Sequence, residues 1–199
     1  MKIGFDLDDV LAELTKVLIE YHNRLLGTRF VLDDHKEYNL WETWGGTREE
    51  AIAEVLEFYA STYMDTVEPV EGAVETTNKL AKKHALSIIT SRPADLTENT
   101  HKWVDKYYRG IFKEIYLTNH VSIAGANTRK ADICIQTGVD VMVEDCMKYA
   151  QECAEAGILT MLYERAWNKK YIELPKNMIR VYNMNHLEAE IEKLERTRA

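Results

Sequence analysis

The chain has few cysteines and no long apolar runs, which are features of disulfide-rich secreted proteins, zinc proteins and membrane proteins. Three cysteines occur among its 199 residues, Cys134, Cys146 and Cys153, and none of them forms a CxxC pair. An odd number of unpaired thiols argues against a disulfide framework or a zinc site and favours reduced thiols. Apolar runs stay below the ~18 residues that a membrane-spanning helix needs. We therefore expect a cytoplasmic protein that does not insert into a membrane.

Positive charge is also scarce. Asp and Glu number 33 against 25 Lys and Arg, which gives a formal net charge of -8. Such an acidic surface disfavours non-specific binding to nucleic acid polymers or to anionic membranes. It does not exclude a small phosphorylated metabolite as substrate, because a bound cation can reverse the local electrostatic field.

Short apolar runs alternate with helical patterns along most of the chain. Apolar runs predict five buried strands, at residues 2–5, 85–89, 114–117, 139–143 and 158–162, and an edge strand at 178–182. Helical spacing separates most of them, at 71–83, 97–108, 128–137 and 147–156, and a charged helix ends the chain. This alternation predicts an α/β fold, a Rossmann-like parallel sheet with helices on both faces.

One long segment interrupts the alternation. Roughly eighty residues separate the first two predicted strands, far more than a βα connection needs. Apolar stripes around Leu18 and around Val55 have helical spacing, so the segment is not disordered in composition. We assign residues 13–69 to a small helical cap inserted after the first strand. Residues 1–12 and 70–199 then form the α/β core.

Acidic side chains follow the first predicted strand. Asp6, Asp8 and Asp9 lie within four residues, and the first two are one residue apart, so their side chains point the same way. Burying mutually repelling acids costs several kcal/mol per ion unless the charge is compensated. A divalent cation would compensate it, and oxygen-only ligands suit Mg²⁺. The alternative is an acidic turn on the surface.

Two further groups contain cationic and hydroxyl side chains. Thr90, Ser91 and Arg92 follow the second strand, and hydroxyl and guanidinium groups bind phosphate oxygens well. An ordinary strand exit has a similar composition. Lys130 begins a predicted helix with Thr128 as its N-cap. Most lysines on helices are simply solvated. Lys130 is a candidate functional residue only because the other groups occur with it.

A second acidic pair, Glu144 and Asp145, ends the fourth predicted strand. Beside Asp6 on a neighbouring strand, Asp145 can complete a metal site. Glu144 is a weaker ligand, a supporting group or only a solvated side chain. Because ligands bind at the carboxyl ends of the strands in open parallel sheets, all four groups are expected at one edge.

In this order and strand context, the four groups resemble the four motifs of the haloacid dehalogenase superfamily, and the Asp-x-Asp pair resembles its phosphatase branch. The resemblance implies that Asp6 is the nucleophile and a Mg²⁺ ligand. It implies that Asp8 is the general acid/base and that its backbone carbonyl also binds Mg²⁺. By the same resemblance, Thr90 holds the transferring phosphoryl group, Lys130 neutralises it and Asp145 anchors the metal.

The chemistry of these residues agrees with that assignment. A carboxylate that attacks a phosphate dianion meets charge repulsion, which Mg²⁺ and Lys130 would offset. An acyl phosphate on Asp6 divides one difficult step into two easier ones. Asp8 would protonate the departing alkoxide and then act as base for the water that hydrolyses phospho-Asp6.

Within the superfamily, the run Gly4 to Ala12, the Ile-Thr-Ser triplet and the inserted helices are similar to 5'(3')-deoxyribonucleotidases. That similarity implies a (deoxy)nucleoside monophosphate as substrate. The better-known members carry Gly where this chain has Asp9, and Asp where it has Glu13. Trp41 and Trp44 of the cap are candidates to stack on a nucleobase, since base stacking on aromatic rings is favourable. The alternative is that both rings only pack the interior of the cap.

Other functions remain open at this point. A signalling receiver domain uses similar residues, but its phosphorylated Asp ends a middle strand before the hydroxyl, and it lacks a large insertion after its first strand. A non-catalytic phosphate-binding protein would be expected to lose a motif residue, and none is lost. A phosphosugar or other small-metabolite phosphatase keeps the chemistry and changes the leaving group. The sequence does not determine the oligomeric state.

Overall fold

A computed structural model describes residues 1–118 and 128–198 of the chain. Its strands are β1 (Lys2–Phe5), β2 (Ala85–Thr90), β3 (Phe112–Leu117), β4 (Val141–Glu144), β5 (Leu159–Tyr163) and β6 (Met178–Val181). They form one six-stranded sheet in the order β3-β2-β1-β4-β5-β6, and every neighbouring pair is parallel. The predicted α/β class is confirmed, and β6 lies at an edge of the sheet as expected.

The described residues also form eight α-helices. They are α1 (Leu14–Leu26), α2 (Leu40–Trp44), α3 (Arg48–Ala60), α4 (Ala73–Leu80), α5 (Thr97–Tyr107), α6 (Lys130–Thr137), α7 (Met147–Glu155) and α8 (Met184–Arg198). None of the helices in the described ranges is both long and apolar enough to cross a bilayer.

Strand register explains why the motif residues converge. Phe5 at the end of β1 pairs with Ile88 on one side and with Val143 on the other, and all three side chains are fully buried. Strands that are buried on both faces have nearly continuous apolar sequences, which is the pattern predicted here. The chain therefore leaves β1, β2 and β4 at the same edge, and Asp6 extends the ladder by donating its amide to Val143 (2.8 Å).

Two predicted boundaries differ from the structure around α6. Thr128 is not the N-cap, because its amide still bonds to the carbonyl of Thr118 (3.1 Å) and the extended Arg129 takes that position. Strand β4 starts two residues later than predicted. Gly138 ends α6 in the left-handed conformation (φ 69°) and the amide of Val139 closes the helix on Cys134 (2.9 Å). The first residues of the apolar run thus belong to the turn.

Residues 13–69, which were predicted to form a helical cap and are called the cap below, contain α1, α2 and α3 as well as two short 3₁₀ turns, Leu32–Asp34 and Thr62–Thr66. The base of the cap is continuous with the main hydrophobic core, since Leu18 and Phe58 belong to the same buried cluster as Phe5. Tyr21 packs edge-on against Phe58, with ring centroids 5.7 Å apart. The upper part of the cap faces the carboxyl edge of the sheet.

Candidate active site

A buried lysine links two acids at the carboxyl edge. Lys130, at the first position of α6, places its Nζ 2.8 Å from Oδ1 of Asp6 and 2.7 Å from Oε2 of Glu144. Lys130 and Glu144 are fully buried, and Asp6 is nearly so. A buried charge of this kind is stable only when it is paired. The solvated alternative for Lys130 is therefore wrong, and the structure brings the first, third and fourth sequence groups together.

Both carboxylate oxygens of Glu144 are occupied by hydrogen bonds. Oε2 accepts from Lys130, and Oε1 accepts from the amides of Asp145 (3.1 Å) and Cys146 (3.0 Å). Glu144 is thus not a solvated side chain. It fixes the ammonium group of Lys130 and the turn that carries Asp145, and this favours a supporting role over that of a metal ligand.

The donor set at this edge fits a hard divalent cation. Carboxylate oxygens of Asp6, Glu144 and Asp145 all lie within 4.8 Å of one another. The backbone carbonyl of Asp8 accepts no hydrogen bond from any part of the chain that the structure describes. Burial, reinforced by the charge of Glu144, raises the pKa of Asp6 to about 7, and the same two causes raise the pKa of Asp145. A cation among these oxygens would relieve that cost, and Mg²⁺ prefers such ligands.

Asp145 is held by two residues that the sequence analysis missed. The indole Nε1 of Trp167 donates to its Oδ2 (2.9 Å), and the amide of Asn168 donates to its backbone carbonyl and to that of Tyr163 (both 2.8 Å). All of these side chains are buried. Trp167 and Asn168 lie just beyond the carboxyl end of β5. The strand-end rule used for the other groups could have selected them, but neither residue type suggested catalysis.

Arg92, which was predicted to bind phosphate, pairs with an acid of the first sequence group in the structure. Its Nε and Nη2 donate to Oδ2 (2.9 Å) and Oδ1 (2.6 Å) of Asp8. Its Nη1 donates to the hydroxyl of Thr100 (3.2 Å), and the guanidinium lies over the ring of Tyr59. Tyr59 also contacts Asp8, with its hydroxyl 3.4 Å from Oδ2. Of the second sequence group, Arg92 is thus the member that pairs with Asp8.

Thr90 and Ser91 remain available to a phosphoryl group. Thr90 is buried, and its Oγ1 accepts from the amide of Arg92 (3.3 Å), which leaves the hydroxyl proton free to donate. Its carbonyl is bonded by the amide (2.8 Å) and hydroxyl (3.1 Å) of Thr118, which fixes the strand end. Ser91 is half-buried, and both residues line the same cavity as Asp6.

The structure explains the residues Asp9 and Glu13, at which this chain differs from the better-known nucleotidases. Asp9 has φ 61°, the left-handed region that glycine adopts most easily, and Asp tolerates it better than most residues. Its carboxylate accepts from the amide (3.0 Å) and hydroxyl (2.5 Å) of Thr15, at the start of α1. Arg165 donates to the carbonyl of Asp9 (2.7 Å) and to the carboxylate of Glu13 (2.5 Å). Asp9 and Glu13 thus anchor the turn that follows the nucleophile.

A cavity of about 190 Å³ lies between this edge and the cap. Its core side is polar and includes Asp6, Asp8, Thr90, Ser91, Arg92 and Asp145. Its cap side is mostly apolar and includes Leu14, Leu18, Leu40, Trp41, Ile52 and Val55, with His35, Glu37 and Asn39 as polar members. The site therefore has a charged floor and a largely hydrophobic roof.

The two candidate tryptophans occupy different places. Trp41 is half-buried and lines the cavity. Trp44 does not line it. Its ring stacks on His22 with centroids 4.0 Å apart, and its Nε1 donates to Nε2 of His35 (2.8 Å). For Trp44 the structure favours packing inside the cap over direct contact with a ligand. Trp41 lines the cavity, and its contact with a base stays a prediction.

The cap also touches the core beside Asp145. The ring of Tyr38 meets those of Tyr149 (6.3 Å) and Trp167 (6.5 Å) edge-on, and Glu37 forms an ion pair with Lys170. These contacts connect the cap to α7 and to the segment that follows β5.

The fold and this arrangement of residues define the class of protein. A haloacid dehalogenase family hydrolase from Deinococcus radiodurans R1, solved with bound phosphate and sodium, aligns with a TM-score of 0.68 at 17% identity, over 96% of this chain and 95% of that one. A haloacid dehalogenase-like family hydrolase from Streptococcus pneumoniae aligns with a TM-score of 0.65 at 17% identity, over 96% and 97% of the two chains. The chain has the haloacid dehalogenase-like fold.

Sequence comparison identifies the family of the chain within this fold. The family described as "5' nucleotidase, deoxy (Pyrimidine), cytosolic type C protein" matches residues 1–171, and the chain belongs to this family. A Bacillus cereus protein named "Putative nucleotidase" is 33% identical over 108 residues, which are 52% of this chain and 57% of that protein. The match thus spans little more than half of the relative's length. The predicted membership of the superfamily and the similarity to nucleotidases are confirmed.

Proposed function

We propose that the chain is a Mg²⁺-dependent phosphatase that acts through an aspartyl-phosphate on Asp6, and that its substrates are (deoxy)nucleoside monophosphates. The observation that carries the proposal is the buried cluster of Asp6, Lys130, Glu144 and Asp145 beneath a cavity that is roofed by the cap. Nucleophile, cation and metal-binding oxygens are assembled there before a substrate arrives, as electrostatic catalysis requires.

Asp6 and Asp145 would hold Mg²⁺ through their carboxylates, and Asp8 through its carbonyl. The bound cation would offset the negative charge that builds up around the phosphoryl group. Lys130 contributes the second positive charge, 2.8 Å from Asp6. Thr90 donates its hydroxyl to a phosphoryl oxygen. The receiver-domain and scaffold alternatives do not account for this complete set of residues beneath the cap.

The proton transfers fall to Asp8. An oxygen of Asp6 attacks phosphorus while the bond to the ester oxygen breaks, and Asp8 gives its proton to that oxygen. A water molecule then attacks phospho-Asp6, Asp8 takes its proton, and inorganic phosphate and the Asp6 carboxylate are released. The two acids can take different roles because their surroundings differ. Both line the cavity, but Asp6 pairs with Lys130 and Asp8 pairs with Arg92.

The roof of the cavity supports a nucleotide over a sugar phosphate. The indole N–H of Trp44 can only donate, so Nε2 of His35 must accept and the neutral ring carries its proton on Nδ1. Burial lowers the pKa of His35, which favours the same neutral form. Nδ1 has no partner within the described residues, and His35 lines the cavity beside Trp41. A mostly apolar roof that includes the rings of Trp41 and His35 suits a planar base, whereas a sugar needs many polar partners.

The test is a phosphate-release screen with Mg²⁺ over nucleoside monophosphates and sugar phosphates. We expect turnover of nucleotides, complete loss of turnover in Asp6→Asn because an amide cannot attack phosphorus, and an unchanged melting profile in that variant. Chelation should abolish activity and added Mg²⁺ should restore it. Asp6→Asn with activity within tenfold of wild type would refute the mechanism. A clear preference for sugar phosphates would refute only the proposed substrate class.

A further inference from the structure

We propose that Arg92 is a positioning residue for Asp8, holding the proton-transferring carboxylate in place, and that it is not a ligand of the phosphoryl group. The inference rests on the proposed function and deepens it. In this proposal, the hydroxyls of Thr90 and Ser91 face the phosphoryl group. The guanidinium of Arg92 instead supports the general acid.

The first argument is the geometry of the ion pair. Nε and Nη2 of Arg92 meet Oδ2 and Oδ1 of Asp8 at 2.9 and 2.6 Å, one nitrogen to each oxygen. A bidentate pair of this kind fixes the plane and the direction of a carboxylate, which a lysine cannot do because its ammonium is a point charge. The Asp8 side chain is 19% exposed and that of Arg92 is 1% exposed. Asp8 is therefore the more exposed partner, and the buried guanidinium holds its carboxylate.

The second argument is that the guanidinium is itself fixed. Nη1 of Arg92 donates to Oγ1 of Thr100 on α5 (3.2 Å), and Thr100 is fully buried. The centre of the guanidinium lies 5.3 Å from the centroid of the Tyr59 ring on α3. Turning the head group toward a phosphoryl oxygen would break contacts to two helices as well as the pair with Asp8. A residue held in this way is suited to orient a neighbour rather than to follow a substrate.

The third argument is the distribution of cations. Lys130 lies between Asp6 and Glu144, whereas the only ion pair of Asp8 in the described parts of the chain is with Arg92. Without Arg92, Asp8 would sit beside Asp6 and Asp9 with no cation of its own. It would be free to rotate away from the leaving group. The loss should therefore appear in proton transfer, and binding of the phosphoryl group should be spared.

Leaving groups of different basicity separate the two roles of Arg92. The value of kcat/KM reports the steps up to departure of the leaving group. A nucleoside alkoxide needs a proton at that stage, but the acetate released from acetyl phosphate does not. With Arg92→Lys, we expect kcat/KM for a nucleoside monophosphate to fall roughly 10- to 100-fold, a part of the 10²–10⁴ that general acid catalysis supplies. With acetyl phosphate, the kcat/KM of Arg92→Lys should change by less than about threefold. Inhibition of this variant by inorganic phosphate should be unchanged.

A double-mutant cycle with Asp8→Asn completes the experiment. If Arg92 acts through Asp8, adding Arg92→Lys to Asp8→Asn should cost little further activity on the nucleotide. Thr100→Val, which removes one contact of the guanidinium and keeps the side-chain volume, should show the same substrate dependence with a smaller loss. This variant replaces Arg92→Lys if the latter does not fold.

Equal losses on both substrates, or a matching loss of phosphate inhibition, would show that Arg92 binds the phosphoryl group and would overturn the inference. Multiplicative losses in the double mutant would also overturn it. A wild-type protein inactive on both substrates would overturn the proposed function, and this inference with it. An active wild type with equal losses in Arg92→Lys would overturn the inference alone.

Discussion

Trp167→Phe should weaken Mg²⁺ binding although Trp167 is not a proposed metal ligand. The indole N–H donates to Oδ2 of Asp145 (2.9 Å), and both residues are buried. Phenylalanine keeps most of the ring volume and removes only the donor. Asp145 would then have one carboxylate oxygen without a partner and more freedom to rotate. Residues that orient a metal ligand tune the metal site in this way.

Two estimates bound the size of the effect. A hydrogen bond to a charged group contributes about 1.5–3 kcal/mol, which sets an upper limit of roughly 10- to 150-fold in affinity. Substituting the residues that support metal ligands typically costs 10- to 100-fold. Asn168 still holds the backbone carbonyl of Asp145 (2.8 Å), so the ligand is loosened rather than lost. We expect a rise of about tenfold or somewhat more in the dissociation constant for Mg²⁺.

Isothermal titration with Mg²⁺ in the absence of substrate measures this constant directly. Trp103→Phe is the matched control. Trp103 is as buried as Trp167, at 6% against 4%, and its Nε1 donates to the carbonyl of Val67 (2.8 Å), a backbone acceptor that is not among the acidic residues of the site. Both variants lose one buried hydrogen bond, so both should melt at a lower temperature. Only Trp167→Phe should bind Mg²⁺ more weakly.

The reasoning would be refuted in either of two ways. Trp167→Phe with a dissociation constant within threefold of wild type would show that Asp145 needs no support from the indole, or that it does not bind the metal. An equal weakening in Trp103→Phe would show that general loosening of the core, rather than orientation of Asp145, controls the site.

Two further predictions concern the cap and the turn after the nucleophile. Trp41→Ala should raise KM for a nucleotide about five- to 150-fold, because stacking contributes roughly 1–3 kcal/mol per base, and should leave acetyl phosphate hydrolysis unchanged. Trp44→Ala should mainly lower the melting temperature, and the reverse pattern would contradict the placement of the two rings. Asp9→Ala should be less stable than Asp9→Gly by roughly 1–2 kcal/mol in denaturant unfolding, since only Gly relieves the cost of a positive φ. Equal stabilities would mean that the conformation at Asp9 carries no strain.

Much of the core could be predicted because it depends on local pattern. Apolar runs of strand length, separated by helical spacing, determine a parallel sheet, and the register of Phe5 with Ile88 and Val143 then brings three strand ends to one edge. The placement of Asp6 and Asp145 needs no more than this rule. That Lys130 points inward follows less directly. Its position at the start of α6 was predicted, but its burial depends on Glu144 offering a partner 2.7 Å away.

What could not be predicted depends on contacts between side chains that are distant in sequence. Arg92 and Asp8 are 84 residues apart, and nothing in either local segment indicates that they form a bidentate pair. Trp167 is 22 residues from Asp145, in a turn whose composition is unremarkable for a loop. The difference between Trp41 and Trp44 likewise depends on where His22 and His35 lie within the cap. Propensity and spacing do not indicate which distant side chains contact each other, because a long polar side chain can reach several partners.

The Asp-x-Asp pair shows how the two kinds of information combine. Alternation along an extended chain suggests that Asp6 and Asp8 are equivalent neighbours on one face. The structure gives them different cations: Lys130, the first residue of α6, pairs with Asp6, and Arg92, just beyond the end of β2, pairs with Asp8. Two identical carboxylates can then be a nucleophile and a proton carrier because their environments differ. If Arg92 paired with Asp6 in place of Asp8, every motif residue would still be present. The two acids should nevertheless lose their separate roles as nucleophile and proton carrier.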